Sequence, residues 1–278
     1  MFDQLFEYLS GFQVLLALLV IMVAYALIGP RYRMWITRRS RVAHIIQMEK
    51  RWSSKVLTMI HRRESIAFLG MPFRQYIDVE DAESILRAIR EAKDRPIDLI
   101  IHSPGGELHS SIQIARALKN HPARTRALIP HYSMSGGTLI ALATDEIIMD
   151  RDAVIGPIDP QIGDMLRGTF PAPSWIEVAE QKGEKADDAT LVISNISKKA
   201  LELMRIVAEE LLKDKFKNKE DLEKIVNNLV SGKMIHCYPI SASEAKSLGL
   251  NINTDFPDEV HEFMNLYRSA KRSVEYLS

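Results

Sequence analysis

A run of 23 residues without a charged side chain, Tyr8 to Pro30, constrains this chain more than any other feature. At about 1.5 Å of rise per residue, a helix over that run spans the roughly 30 Å hydrocarbon core of a bilayer. A cleaved signal peptide carries positive charge ahead of its apolar run, whereas here Asp3 and Glu7 precede it and no small-residue cleavage site follows. The positive charges come afterwards, at Arg31, Arg33, Arg38, Arg39 and Arg41. The positive-inside rule then places the N-terminus outside and everything beyond Arg31 in the cytoplasm. The expected organisation is a transmembrane anchor over 1–30, a basic juxtamembrane connector over 31–60, a folded domain over 61–256 and a tail over 257–278. In the connector, Tyr32 and Trp35 suit the lipid interface and the arginines suit anionic headgroups.

Past the connector, strand-like and helix-like segments alternate. Ser65–Leu69 is a short apolar run closed by Gly70 and Pro72 and reads as a strand. Val79–Lys93 carries Val79, Ala82, Ile85, Leu86 and Ile89 at helical spacing behind an Asp78 cap. Ile97–His102 is nearly all apolar, as in parallel strands buried on both faces. A helix over Glu107–Asn120, a strand over Thr125–Pro130, a helix over Thr138–Thr144 and a strand over Glu146–Met149 follow. Such βαβ repetition predicts an α/β domain with a mostly parallel sheet. The remainder reads as helical. A Ser174–Glu177 capping box opens a short helix that Gly183 closes. Long helices over Thr190–Phe216 and Lys219–Val230 come next, then a capped helix over Ser241–Leu248 ended by Gly249.

Composition excludes several functions. Lys plus Arg and Asp plus Glu are both 36, so the net charge of zero argues against nucleic acid as a partner. Cys237 is the only cysteine, which excludes a disulfide framework or a multi-cysteine metal site. Neither a dinucleotide fingerprint nor a phosphate loop is present, so no NAD or ATP site is expected. The α/β-hydrolase elbow Gly-x-Ser-x-Gly is absent as well.

Two glycine-bearing turns carry the chemistry: Ser103-Pro104-Gly105-Gly106 and Ser133-Met134-Ser135-Gly136-Gly137. Each takes the chain from a strand into a helix, where free N–H groups attract negative charge. Side by side, the turns can build an oxyanion hole from the N–H groups near Gly105, Gly106 and Gly136, with the Ser135 hydroxyl placed to attack a carbonyl held there.

The segments IDLIIHSPGGELHSSIQIARAL and HYSMSGGTLIALATDEIIMDRDAVIGPIDPQIG resemble the Clp-protease/crotonase superfamily. With IHRRESIAFLG and HCYPISASEAKSLGL, they resemble more narrowly its membrane-anchored branch, the serine dehydrogenase proteinase family. That resemblance covers roughly residues 50 to 255. It implies a Clp/crotonase-like stack of ββα turns with a helical arm, peptidase activity on protein or peptide substrates, no cofactor and assembly into a homo-oligomer. It matches Ser135 to the nucleophile and Gly105, Gly106 and Gly136 to the oxyanion-binding turns. The Clp-type base histidine has no counterpart here, because Ile158-Asp159-Pro160-Gln161 occupies its place and no histidine lies between His131 and His236. Three bases stay open. Lys182 and Lys185 lie in the window where the signal-peptide-peptidase branch places a lysine, with Lys182 preferred of the two. His236 follows the helical arm, and Asp159 can orient a base or cap a turn. A non-proteolytic scaffold on the same fold is the alternative function, with crotonase-like acyl-CoA chemistry behind it.

Overall fold

The computed structural model describes residues 2–61, 76–164 and 168–267. It divides into two compact units, Met1–Met48 and Glu49–Ser278. In the first, a single helix (α1, Phe2–Trp52, which continues into the second unit) carries the uncharged run, with Val14, Leu15, Leu18 and Ile21 all more than half exposed. Gln13–Trp52 is long and apolar enough to cross a bilayer. The guanidinium of Arg39 lies 4.1 Å from the centre of the Trp35 ring.

In the second unit, a five-stranded sheet has the order β1-β2-β3-β5-β10, and every neighbouring pair is parallel. Its strands are β1 (Lys55–Ile60), β2 (Ile97–His102), β3 (Thr125–Ile129), β5 (Glu146–Met149) and β10 (Ile252–Asn253). All six residues of β2 are buried, as its largely apolar run suits a strand covered on both faces. Asp98 is the exception in chemistry, and the fold neutralises it. Arg126 Nη2 donates to Asp98 Oδ2 at 2.8 Å and Ser54 Oγ donates to the same oxygen at 2.5 Å. The helices between strands are α2 (Val79–Ala92), α3 (Leu108–Lys119) and α4 (Gly136–Ala143).

The α/β architecture, the parallel sheet and the alternation from Val79 to Met149 match the sequence expectation. Three local differences have physical causes. The stretch read as connector leaves α1 after Trp52, and Lys55–Ile60 pairs with Ile97–His102 along its whole length. Tyr132–Ser133, read as part of a turn, is a short strand (β4) because it pairs with Val154–Ile155 (β6). Ser174 caps nothing: α5 (Ala172–Lys182) starts earlier, behind Pro171, with Pro173 in its first turn. Gly183 does close it, at φ 52°. The strand read at Ser65–Leu69 lies outside the described residues.

The arm is α6 (Asp188–Leu212) with α7 (Lys219–Val230), which buries Ile225, Val226, Leu229 and Val230. A hairpin of β7 (Gln161–Asp164) and β8 (Gly168–Pro171) precedes α5. Beyond α7 come β9 (Ile240–Ser241), α8 (Ala242–Ser247, with Ser241 and Glu244 forming a capping box) and α9 (Asp258–Asn265).

Lys215 ties the arm's exit to the helix behind the glycine turn. Its Nζ donates to the carbonyl oxygens of Leu142, at 2.7 Å, and of Thr144, at the C-terminal end of α4. Burial, with the nearby Lys119 adding to it and Asp145 opposing, lowers its pKa to about 8. A neutral amine still has two N–H groups for the two carbonyls. Between about pH 8 and the ordinary lysine range the unfolded chain therefore binds more protons than the folded one, and stability attributable to this group rises with pH. Wild type and Lys215→Met compared by urea unfolding at pH 7.5 and pH 10 should diverge in favour of wild type at the higher pH, by up to about 1 kcal/mol per pH unit.

Candidate active site

The two glycine turns are zipped together by backbone hydrogen bonds. Beyond β2 and ahead of α4, Ser103 and Ser133 form a parallel bridge. The Ser103 amide donates to the Tyr132 carbonyl at 3.2 Å, and the Met134 amide donates to the Ser103 carbonyl at 2.9 Å. On the other side, Ile77 bridges Gly106: its amide donates to the Gly105 carbonyl at 2.9 Å and its carbonyl accepts from the Glu107 amide at 2.8 Å.

Glycine is obligatory where these segments meet. A Cβ on Gly106 would lie 2.2 Å from the Ile77 carbonyl oxygen. A Cβ on Gly105, which has φ +102°, would lie 2.8 Å from Ser135 Cβ and 3.2 Å from the Gly136 nitrogen. The SPGG turn thus lies directly against the serine of the second turn.

Ser135 is held in an unusual conformation. With φ 49° and ψ −117° it has a positive φ that side chains other than glycine's rarely adopt, a state that costs on the order of 1–3 kcal/mol. It stands at the N-cap of α4, yet its hydroxyl makes no capping bond and has no hydrogen-bond partner among the described residues. The side chain is half-buried, and every residue of α4 behind it is buried. Of the neighbouring amides, Gly137 donates to the Met134 carbonyl at 2.8 Å and Gly105 donates to Ser103 Oγ at 3.2 Å. Those of Gly106 and Gly136 have no partner among the described residues. The donors left open are therefore Gly106 and Gly136, while the amide of Gly105 is already engaged.

A second sheet gathers the other candidates. Its order is β4-β6-β9, with Ser133 opposite Ile155 in parallel and Ile155 opposite Ile240 in antiparallel. Ser135 follows Ser133 by two residues, Asp159 follows Ile155 by four, and His236 precedes Ile240 by four. Strand direction sends all three out of the same end of this sheet. Met134, next to Ser135, packs against Gly156, where an added Cβ would meet its Cε at 2.5 Å. His236 sits in a turn closed by the Tyr238 amide donating to the Ile235 carbonyl at 2.8 Å. Its Nδ1 is 2.9 Å from Asp159 Oδ1, whose side chain is fully buried. Gln161 Nε2 donates to the other carboxylate oxygen at 2.8 Å. With Nδ1–H donating to that carboxylate, Nε2 carries the lone pair, and it has no partner among the described residues.

The lysines stand elsewhere. Lys182, in the last turn of α5, has a half-exposed side chain whose Nζ is 3.9 Å from an Asp187 carboxylate oxygen. Lys185 is exposed on the following 3₁₀ turn, Gly183–Lys185. His102 is buried, with its ring centre 4.1 Å from that of Tyr132. The sequence reading named His236 and Asp159 separately and had no signal that pairs them across 77 positions. It also left His61 unremarked. That histidine bridges Ser103 Oγ, 2.8 Å from Nδ1, and Asp81 Oδ2, 3.0 Å from Nε2. No group of three or more metal-ligating side chains occurs among the described residues.

A strained serine with a free hydroxyl thus stands at a helix N-terminus, near two amides that have no partner among the described residues. The chain belongs to the ClpP-like SDH-type serine proteinase family, whose model matches residues 4–278. It is an enzyme of the serine peptidase class. Two uncharacterized proteins of Methanocaldococcus jannaschii, MJ0137 and MJ1495, are similar to it. They are 47% and 49% identical over 91% and 89% of this chain, and over 88% and 82% of their own lengths. An alanine mutant of the 1510-N membrane-bound stomatin-specific protease is a structural neighbour at TM-score 0.48 and 14% identity, covering 76% of this chain and 83% of its own.

The close approach at Ile77 gives a direct test. Gly106→Ala must displace the Ile77 backbone and is expected to destabilise the protein by about 2 kcal/mol or more. Gly183→Ala, with nothing within 4 Å of the added carbon, meets only the strain of its positive φ and should cost less. Thermal unfolding of the two variants in the same detergent compares them.

Proposed function

We propose that this chain is a membrane-tethered serine peptidase in which Ser135 is the nucleophile, the amides of Gly106 and Gly136 hold the oxyanion, and His236, oriented by Asp159, is the general base. The observation that carries this reading is the shared exit of Ser135, Asp159 and His236 from one end of the β4-β6-β9 sheet, with the imidazole already on a buried carboxylate. In the reaction His236 Nε2 takes the proton from Ser135 Oγ as the oxygen attacks the scissile carbonyl. The oxyanion forms against the open amides, where α4 contributes the positive end of its dipole. The imidazolium then gives its proton to the leaving amine, and water repeats the sequence on the acyl-enzyme. Asp159 holds the ring with Nε2 outward and offsets the charge that develops on it. Lys182 is the weaker candidate, because its side chain is half-exposed and its Nζ is 3.9 Å from an Asp187 carboxylate oxygen.

The exposed apolar surface of α1 supports insertion in a bilayer, and the arginines after it support an N-out orientation with the peptidase unit in the cytoplasm. Homo-oligomerisation is supported by exposed apolar side chains along α6, among them Val192, Ile196, Leu203 and Ile206. The substrate class is protein or peptide, and the hydrolytic steps above call for no cofactor.

A fluorophosphonate probe applied to the full-length protein in detergent should label the wild type and leave Ser135→Ala unlabelled. Equal labelling of both contradicts the assignment. Peptide hydrolysis by His236→Gln should fall about 10²–10⁴-fold in kcat, while Lys182→Met stays near wild type. The reverse pattern makes lysine the base. If Ser135→Ala leaves cellular function intact, the scaffold reading replaces the peptidase. Orientation is read from Cys237, which is exposed and the only cysteine. A membrane-impermeant maleimide should react with it in inside-out vesicles and fail to do so in intact cells.

A further inference from the structure

Ser103 is fully buried, yet it is the link in a continuous hydrogen-bonded series that runs from Asp81 to the amide of Gly105. Asp81 Oδ2 is 3.0 Å from His61 Nε2, His61 Nδ1 is 2.8 Å from Ser103 Oγ, and Ser103 Oγ is 3.2 Å from the Gly105 nitrogen. A carboxylate only accepts, so His61 Nε2 carries a proton. The Ser103 oxygen accepts from the Gly105 N–H, and its single proton has His61 Nδ1 and, at 3.4 Å, the Gly105 carbonyl oxygen within reach. The bonds are contiguous, so each polarises the next.

Three elements supply the members. Asp81 belongs to the capping box that starts α2, where its carboxylate accepts from the Asp78 amide at 3.2 Å and its own amide donates to Asp78 Oδ1 at 3.0 Å. His61 follows β1, its side chain only 9% exposed, and its amide donates to the His102 carbonyl at 2.7 Å. Ser103 follows β2. Burial raises the Asp81 carboxyl, but the hydrogen bond and Coulombic pull of His61 and the Asp78 amide outweigh it, and the net shift is downward. The carboxylate is thus kept as the acceptor that the series needs.

We infer that Asp81, His61 and Ser103 are positioning residues for the peptidase: they hold the Gly105 peptide so that the next amide, Gly106, stays open and aimed at the oxyanion beside Ser135. This rests on the peptidase reading given above. The Gly106 N–H shares one peptide plane with the Gly105 carbonyl, which accepts from the Ile77 amide and lies 3.4 Å from Ser103 Oγ. The Gly105 amide, in the preceding peptide, is held only through Ser103. With Ser103 Oγ removed, both peptides flanking Gly105 lose a restraint, and the Gly106 donor can tilt about the single remaining bond from Ile77.

The test uses full-length protein and two near-isosteric variants outside the reacting groups, Ser103→Ala and Asp81→Asn. The first removes the acceptor of the Gly105 amide. The second replaces the carboxylate that accepts from His61 Nε2 with a neutral amide and so weakens the hold on the ring. Each is expected to lower kcat about 10–100-fold with KM within about twofold of wild type. Affinity for a peptide aldehyde, whose adduct with serine carries the oxyanion, should fall in parallel with kcat. Wild-type kcat and aldehyde affinity in both variants overturn the inference. So does a loss confined to KM or to the thermal midpoint, since that pattern marks a structural role alone. Fluorophosphonate labelling of the wild type separates the two readings. Labelling at Ser135 with unaffected variants removes only the positioning role, and absence of labelling removes the peptidase and this role together.

Discussion

The site depends on one close approach between two backbones. The turn after β2 and the turn before α4 are bridged at Ser103 and Ser133, and the turn after β2 is bridged again to Ile77. No side chain fits between them at Gly105 or Gly106. That contact sets the separation between a serine hydroxyl and two amides to main-chain tolerances, which a pair of side chains does not reach. It also accounts for the left-handed backbone of Ser135: the chain must reverse from β4 into α4 within a few residues while keeping Gly136 beside Gly105. The strain is borne by a core around it, since α4 is buried throughout and Lys215 secures its far end.

The second constraint is topological. β4, β6 and β9 are only two residues each, and they contribute little as a sheet. Their importance lies in direction. Two run parallel and the third runs against them, so the residues that follow β4 and β6 and those that precede β9 emerge together. A serine, a carboxylate and an imidazole that are far apart in the chain then share one rim. The three residues proposed for the site are ordered Ser135, Asp159, His236 along the sequence, so a carboxylate stands where the resemblance to Clp proteases leads one to expect a histidine. Chain order is free to vary when geometry and roles are kept.

Much of this was legible beforehand. The membrane-length run, the alternation of strands and helices, and the two glycine turns follow from periodicity and local backbone chemistry, which operate over a few residues. Ser135 and the glycines were named from those local signals together with the family resemblance. The partners of His236 and of His61 are different in kind. Each is decided by which strands become neighbours, and two-residue strands such as Tyr132–Ser133 have no periodicity to announce them. The Gly105 amide was expected among the oxyanion donors because its residue type and place are right. Its engagement with Ser103 depends on a side-chain rotamer that no spacing encodes. The Ser174 cap was misplaced because Pro173, fixed near helical φ, carries the helix start upstream.

The account stands or falls on what faces Ser135 when it carries an acyl-like adduct. A crystal structure of the full-length protein modified by a peptidyl fluorophosphonate measures this directly. The adduct's phosphoryl oxygen should accept from the Gly106 and Gly136 amides, with His236 Nε2 about 3 Å from the serine oxygen and Asp159 still on Nδ1. A lysine Nζ in that position, or an adduct oxygen turned away from both amides, would contradict it.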